Sequence, residues 1–245
     1  MKMILFLALS FASIKGMPNC NVSDLEQIRG SWINNQVYEY YKLAKTNPCN
    51  DKFFERSNSV PLYLSFNEKK QIEITFRYEQ KVGIYHIKSS VGDSIIAYKD
   101  KRVLKIKLMK DLLVMEYEGR SVAFKKVSSS YSNDVFGEFV KSLVFENHNS
   151  YTIESFNENQ KFNNRIVDRR NFQQTLKEVF ACEFVNYAQL GLFKYGEYCL
   201  PELALYYKKK EGSDGPKLLG INTENKIVKF INSSGEVVLR LKSKE

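Results

Sequence analysis

Histidine is the residue most often used for proton transfer near neutral pH, and this chain contains only two, His86 and His148. His86 lies beside Ile84 in an alternating segment, which favours a hydrogen-bonded structural role. The sequence has no phosphate-cradling glycine loop, nucleophile elbow or paired metal motif. We therefore predict no catalytic residue, no metal site and no cofactor. A pair of carboxylates brought together only by folding stays open as an alternative.

The four cysteines all follow the first 16 residues, and their even number favours disulfides in an oxidising compartment. A structural zinc site needs closely spaced ligand pairs, which these spacings do not supply. Three pairings are possible. We predict the two local ones, Cys20–Cys49 and Cys182–Cys199, because each lies within one half of the chain.

Six cations follow one another closely between residues 99 and 110 of a chain with a formal net charge of +9. They could attract an anionic partner, or they could form the solvated outer face of a strand. No aromatic residues interleave with them, so a nucleic-acid site is not expected. The six residues are Lys99, Lys101, Arg102, Lys105, Lys107 and Lys110.

The first 16 residues have the pattern of a secretory signal peptide. Lys2 gives a short positive start, an apolar run covers residues 4–12, and Ser10-x-Ala12 fits a small-residue cleavage site. No other stretch approaches about 18 uninterrupted apolar residues, so no transmembrane segment is predicted. We therefore expect a secreted or periplasmic protein.

Hydrophobic alternation with a period of two runs from Val60 to Val127 and predicts sheet that is half-buried on one face. A turn at Lys110-Asp111 places Ile106 opposite Met115 and Lys105 opposite Glu116. A following type II′ turn at Gly119-Arg120 places Met115 opposite Phe124 and Tyr117 opposite Val122. With a first strand at Trp32, this gives eight antiparallel strands, and we predict a barrel.

Gly30-x-Trp32 on the first strand, followed by a helix over Gln36–Lys45, resembles the opening of the calycin superfamily, the lipocalins and fatty-acid-binding proteins. The resemblance covers about residues 20–127. It implies that the barrel cavity binds a small apolar molecule and that Trp32 packs across the closed end as a structural residue.

One face of the predicted strands carries apolar side chains that would line such a cavity. Hydroxyls and a flexible thioether among them suit a mixed apolar pocket, but a filled core is the alternative. The predicted ligand-binding residues are Ile74, Phe76, Tyr78, Leu104, Ile106, Met115, Tyr117 and Phe124. The preferred function is noncatalytic binding of a small hydrophobic molecule. A protein–protein interaction module with a filled barrel and an unrecognised enzyme are the alternatives.

A serine-rich stretch over residues 127–134 predicts a linker, and residues 135–245 then form a smaller α+β domain. Phe139–Glu146 and Tyr151–Phe156 are predicted as strands, and a helix capped by Asp168 is expected to run to Phe180. The predicted fold class is therefore mainly β: an eight-stranded antiparallel calycin-like barrel followed by an α+β domain. Three terminal strands are expected at Leu203–Tyr207, Ile227–Ile231 and Val237–Leu241.

Overall fold

Eight antiparallel strands close into a barrel, each paired with its neighbours in chain order and β8 paired with β1. The computed structural model describes residues 26–43, 49–50, 60–76, 83–91, 94–132, 134–157, 160–187, 193–208 and 215–244. The strands are β1 Gly30–Asn34, β2 Tyr63–Phe66, β3 Gln71–Thr75, β4 Gly83–Val91, β5 Ser94–Lys99, β6 Arg102–Met109, β7 Leu112–Tyr117 and β8 Arg120–Ser128. The predicted fold class is confirmed.

The register of the β6–β7 hairpin agrees with the prediction. Ile106 pairs with Met115, and Lys105 pairs with Glu116 on the outer face. The next register is wrong by two residues, because Met115 pairs with Val122 and not with Phe124.

The two-residue turn between β7 and β8 is Glu118-Gly119, not Gly119-Arg120. Glu118 has a φ of 48° and Gly119 a φ of 75°, and two positive φ values are what a type I′ hairpin requires. A shift of two residues keeps every side chain on its original face. The inward-facing set was therefore predicted correctly despite the wrong turn.

Between the first two strands the chain forms a helix, α1, over Asn35–Leu43. The Asn34 side-chain oxygen accepts a hydrogen bond from the Gln36 amide at 2.9 Å, which satisfies one free donor at the helix start. The end predicted for this helix, at Lys45, lies outside the described residues.

Val135–Val144 is a helix, α2, so the strand predicted at Phe139–Glu146 is wrong. Its apolar residues recur at helical spacing, and the Asp134 carboxylate accepts the Gly137 amide at 2.8 Å as the N-cap. A run of apolar residues can satisfy either period, so the cap is the signal that distinguishes the helix.

The second half of the chain forms a seven-stranded antiparallel sheet in the order β10-β9-β17-β16-β15-β14-β11, with β12 and β13 as a separate hairpin. The helix predicted from Asp168 begins later, as α3 over Phe172–Val179. The strands are β9 Ser150–Phe156, β10 Ile166–Asp168, β11 Phe184–Tyr187, β12 Phe193–Tyr195, β13 Tyr198–Leu200, β14 Glu202–Tyr206, β15 Lys217–Glu224, β16 Ile227–Ile231 and β17 Val237–Ser243.

Two large apolar clusters hold these elements. One fills the barrel. The other begins on the outer wall of the barrel, with Ile33 and Tyr63, includes Val37 of α1, and continues through Phe139 of α2 into the second sheet. The two halves therefore share a core. Among the described residues, no helix is both long and apolar enough to cross a membrane.

Candidate ligand-binding site

The barrel brings most of the predicted ligand-binding residues onto one inner face. Five of the eight belong to its buried cluster, and two are partly buried against that cluster. The eighth, Tyr78, lies outside the described residues. The buried five are Ile74, Leu104, Ile106, Met115 and Phe124, and the partly buried two are Phe76 and Tyr117.

These buried side chains contact one another instead of lining open space. Ile74, Met115 and Phe124 are each 0% exposed. A side chain that lined an internal void large enough for water would keep some accessible surface, so the centre of the barrel is filled at these positions. Their role as ligand contacts stays a prediction.

The partly buried pair lies at one end of the barrel interior. The rings of Phe76 and Tyr117 are 5.5 Å apart at an angle of 52°, which is a tilted aromatic contact. Burial is the main cause that raises the pKa of the Tyr117 hydroxyl. The Glu118 carboxylate, to which the hydroxyl is hydrogen-bonded, raises this pKa further.

Trp32 packs near the opposite end of the barrel, where its indole Nε1 donates to the Ile28 carbonyl at 2.8 Å. The Lys126 ammonium lies 5.4 Å from the ring centroid and donates to the Gln27 carbonyl at 2.8 Å. Helical residues 26–28 thereby close this end.

The glycine that precedes Trp32 in the Gly-x-Trp motif has a specific backbone role. Gly30 has a φ of 116°, and a Cβ there would collide with the Ser128 carbonyl. Glycine is the only residue that fits this close approach without strain. It allows β1 to meet the end of β8 where the barrel closes.

A cavity of about 410 Å³ lies at the closed end of the barrel, beside the apolar cluster that fills the barrel. Its apolar wall consists of Ile28, Phe66 and Ile87, all of which contact the interior cluster. Its polar rim includes Arg29 and Glu68, which form an ion pair. The remaining rim residues are Glu26, Asn67 and Lys70.

The residues of this cavity were not among the predicted site residues. Phe66 and Ile87 have the inward parity of their strands, so the alternation alone identifies them as interior. Ile28 and Arg29 belong to the short segment before β1, where no periodicity marks a contact with the barrel. Their position follows from the bond between Ile28 and Trp32, which joins residues of different elements.

The predicted disulfide pairing is wrong. Cys49 is bonded to Cys199, while Cys182 is a buried free thiol and Cys20 lies outside the described residues. The Cys49 amide donates to the Glu197 carbonyl at 2.5 Å, so this segment docks on the β12–β13 hairpin. Separation along the chain does not determine distance in the fold, and residues 150 positions apart are neighbours here.

The six clustered cations of residues 99–110 are exposed on the outer face and at the turns of the barrel. His86 is also exposed on that outer face, and its hydrogen-bonded structural role stays a prediction. His148 Nε2 lies 2.6 Å from the Asn225 carbonyl. In the described part of the chain, no group of three or more His, Cys, Asp or Glu residues could hold a metal ion.

Comparisons with protein-family models, with curated proteins and with solved structures give no match for this chain.

Proposed function

We propose that this chain is an exported, noncatalytic binding protein that holds a small hydrophobic molecule at the closed end of its barrel. The observation that carries the proposal is the cavity of about 410 Å³, whose apolar wall is continuous with the barrel interior. Cavities of roughly 300–1,000 Å³ have the size that holds small-molecule ligands.

The lining of the cavity favours a ligand with an apolar body and one polar end. Ile28, Phe66 and Ile87 offer hydrocarbon and aromatic surface for the body. The rim carries both charges, with Arg29 already paired to Glu68, so a strongly charged ligand has no clear advantage there. Lys70 lies within the rim as a partner for a polar end group, whereas the Asn67 side chain is already bonded to Gln71 and Glu73.

Two further parts of the proposal concern export and family. The signal-peptide pattern of residues 1–16 and the Cys49–Cys199 disulfide both suit an oxidising compartment outside the cytosol. A closed eight-stranded barrel with a buried tryptophan on its first strand supports membership of the calycin superfamily. N-terminal sequencing of the protein recovered from the medium tests export.

The binding proposal is tested by titration with an uncharged apolar dye, N-phenyl-1-naphthylamine. Ile87→Glu should weaken dye binding about tenfold or more, since an unpaired carboxylate in an apolar wall costs several kcal/mol. Ile84→Glu is the matched control, because Ile84 is on the same strand but 41% exposed on the outer face. If the wild type takes up no dye, or if both variants lose binding equally, the proposal fails.

The filled centre of the barrel favours a second candidate, a protein–protein interaction module. Its surface would be the far edge of the second sheet, where Phe184 of β11 is 45% exposed and stacks on Tyr206 at 4.3 Å. Leu218, on the same face, is also exposed. Exposed aromatic surface of this kind is typical of protein contacts.

The two candidates differ in which substitution matters. For the interaction module, Phe184→Ser should abolish association with an extracellular protein partner, whereas Ile87→Glu should leave that association unchanged. The second candidate would be rejected if dye uptake depended on Ile87 and the Phe184→Ser variant still associated with the partner.

A further inference from the structure

A second cleft, of about 660 Å³, lies where the barrel meets the second half of the chain. It is bounded by the end of β8, the start of the connection to α2, α2 itself and the turn between β10 and α3. The described residues of its lining include four cations, Lys126, Lys141, Arg169 and Arg170, and one carboxylate, Glu138. The cleft is therefore cationic, and its lining shares no residue with that of the cavity at the closed end.

Glu138 fixes two of these cations in place. Its carboxylate accepts hydrogen bonds from Lys141 Nζ at 2.9 Å and from Arg169 Nη2 at 3.2 Å. Arg169 Nη2 also donates a hydrogen bond to the Val127 carbonyl at 2.7 Å. The side chains of Glu138 and Lys141 are 17% and 18% exposed, so this ion pair is held by its surroundings. An ammonium has three donors and a guanidinium five. Both cations therefore keep donors for another group.

A serine turn forms another part of the lining. Ser128 Oγ lies 3.1 Å from Ser130 Oγ, and the Ser130 amide donates to Ser128 Oγ at 3.2 Å. Ser129 lies between them in the lining of the cleft. Hydroxyls held in such a turn can donate to an anionic oxygen.

We infer that this cleft binds a small molecule carrying a phosphate or sulfate group. A tetrahedral oxyanion accepts from several donors at once, which suits the guanidinium forks and ammonium groups of Arg169, Arg170 and Lys141. The volume exceeds the space that one oxyanion needs, so a ligand larger than a single ion fits there. Because the cleft is lined from both halves of the chain, a bound ligand contacts both.

Calorimetric titration with inositol hexakisphosphate and, separately, sucrose octasulfate tests the inference and distinguishes phosphate from sulfate as the preferred group. Arg170→Glu should weaken binding of the preferred probe about tenfold, since a hydrogen bond to a charged group contributes roughly 1.5–3 kcal/mol. Arg170 is exposed, so the variant should fold. Lys141→Gln should weaken binding in the same direction.

Lys101→Glu makes the same charge change on the exposed turn between β5 and β6 and serves as the control. Binding by this variant should stay within about twofold of wild type at 0.15 M salt, where distant surface charges are screened. An equal loss in Lys101→Glu and Arg170→Glu would mean attraction to overall charge and would overturn the inference. The absence of binding by the wild type to both probes would overturn it as well.

Discussion

At the scale of a single residue, substitutions of Met115 test whether the barrel is filled or hollow. Met115 is 0% exposed and lies opposite Ile106 and Val122. In a filled core, Met115→Ala should lower the free energy of unfolding by about 2–5 kcal/mol, because a cavity is left behind. Met115→Leu nearly conserves volume and should cost less than about 1.5 kcal/mol. Urea denaturation measures both.

The outcome for Met115 also bears on ligand binding. If Met115→Ala cost less than about 1 kcal/mol, Met115 would line a void rather than a filled core, and the interior would again be the preferred ligand site.

Two carboxylates near the cationic cleft should affect acid stability with opposite signs. Burial acts to raise the pKa of Glu138, but its bonds to Lys141 and Arg169 outweigh this and lower it below the usual 4.5. Its stabilising contribution is therefore complete above about pH 4.5 and is lost as the pH falls through the folded-state pKa. Burial raises the pKa of Asp134 above the usual 3.8. The contribution of this carboxyl group to stability therefore falls as the pH rises from about 3.8 through the raised folded-state pKa.

Thermal melts between about pH 3 and 6 should separate these two groups. Relative to wild type, Glu138→Gln should show a smaller gain of melting temperature with pH, and Asp134→Asn a larger one. Asparagine keeps an oxygen that can cap α2, so the second variant tests the charge and not the cap. Parallel curves for all three proteins would contradict the opposite signs.

At the scale of the element, the β7–β8 turn depends on a left-handed backbone at Gly119. Nothing lies within 4 Å of a Cβ added there, so the effect of Gly119→Ala comes from backbone strain alone. The variant should lose about 1 kcal/mol of unfolding free energy, measured by urea denaturation.

Gly215→Ala is the matched control for this turn. It also adds a Cβ in open space, but without a positive φ. It should be neutral or slightly stabilising, since alanine restricts the unfolded chain. If Gly119→Ala and Gly215→Ala lost the same unfolding free energy, the left-handed backbone at position 119 would not be the cause of the loss.

The elements that the sequence predicted best are those whose partners are close along the chain. The β6–β7 register follows from alternation and a two-residue turn, and it is correct at Ile106 and Met115. Helix α2 was missed because its apolar spacing also fits a buried strand, and only the Asp134 cap separates the two. The closed-end cavity was missed because Ile28 reaches the barrel through a contact with Trp32 that no local pattern reports.

At the scale of the whole molecule, the two halves are joined in ways that spacing could not predict. The Cys49–Cys199 disulfide connects the segment after α1 to the β12–β13 hairpin. The shared core places Ile33 and Tyr63, on the outer wall of the barrel, in one cluster with Phe139 of α2. Long-range pairs of this kind depend on the final packing of the elements, whereas the local pairings predicted for the cysteines assumed separate cores.

The shared core leads to a prediction about cooperativity, for which the chain carries two reporters. Trp32 is the only tryptophan and reports the barrel, while the buried thiol of Cys182 reports the core of the second half. Because one cluster spans both halves, tryptophan fluorescence and alkylation of the Cys182 peptide should give the same midpoint in urea.

Val140 of α2 is buried in the shared cluster, and Ile74 in the barrel cluster alone. Val140→Ala and Ile74→Ala should each lower both midpoints together, because a cooperative unit loses stability as a whole. If Ile74→Ala lowered the fluorescence midpoint and left the alkylation midpoint in place, the halves would unfold separately. The contacts of Ile33 and Tyr63 with α2 would then be an interface between two domains rather than one core.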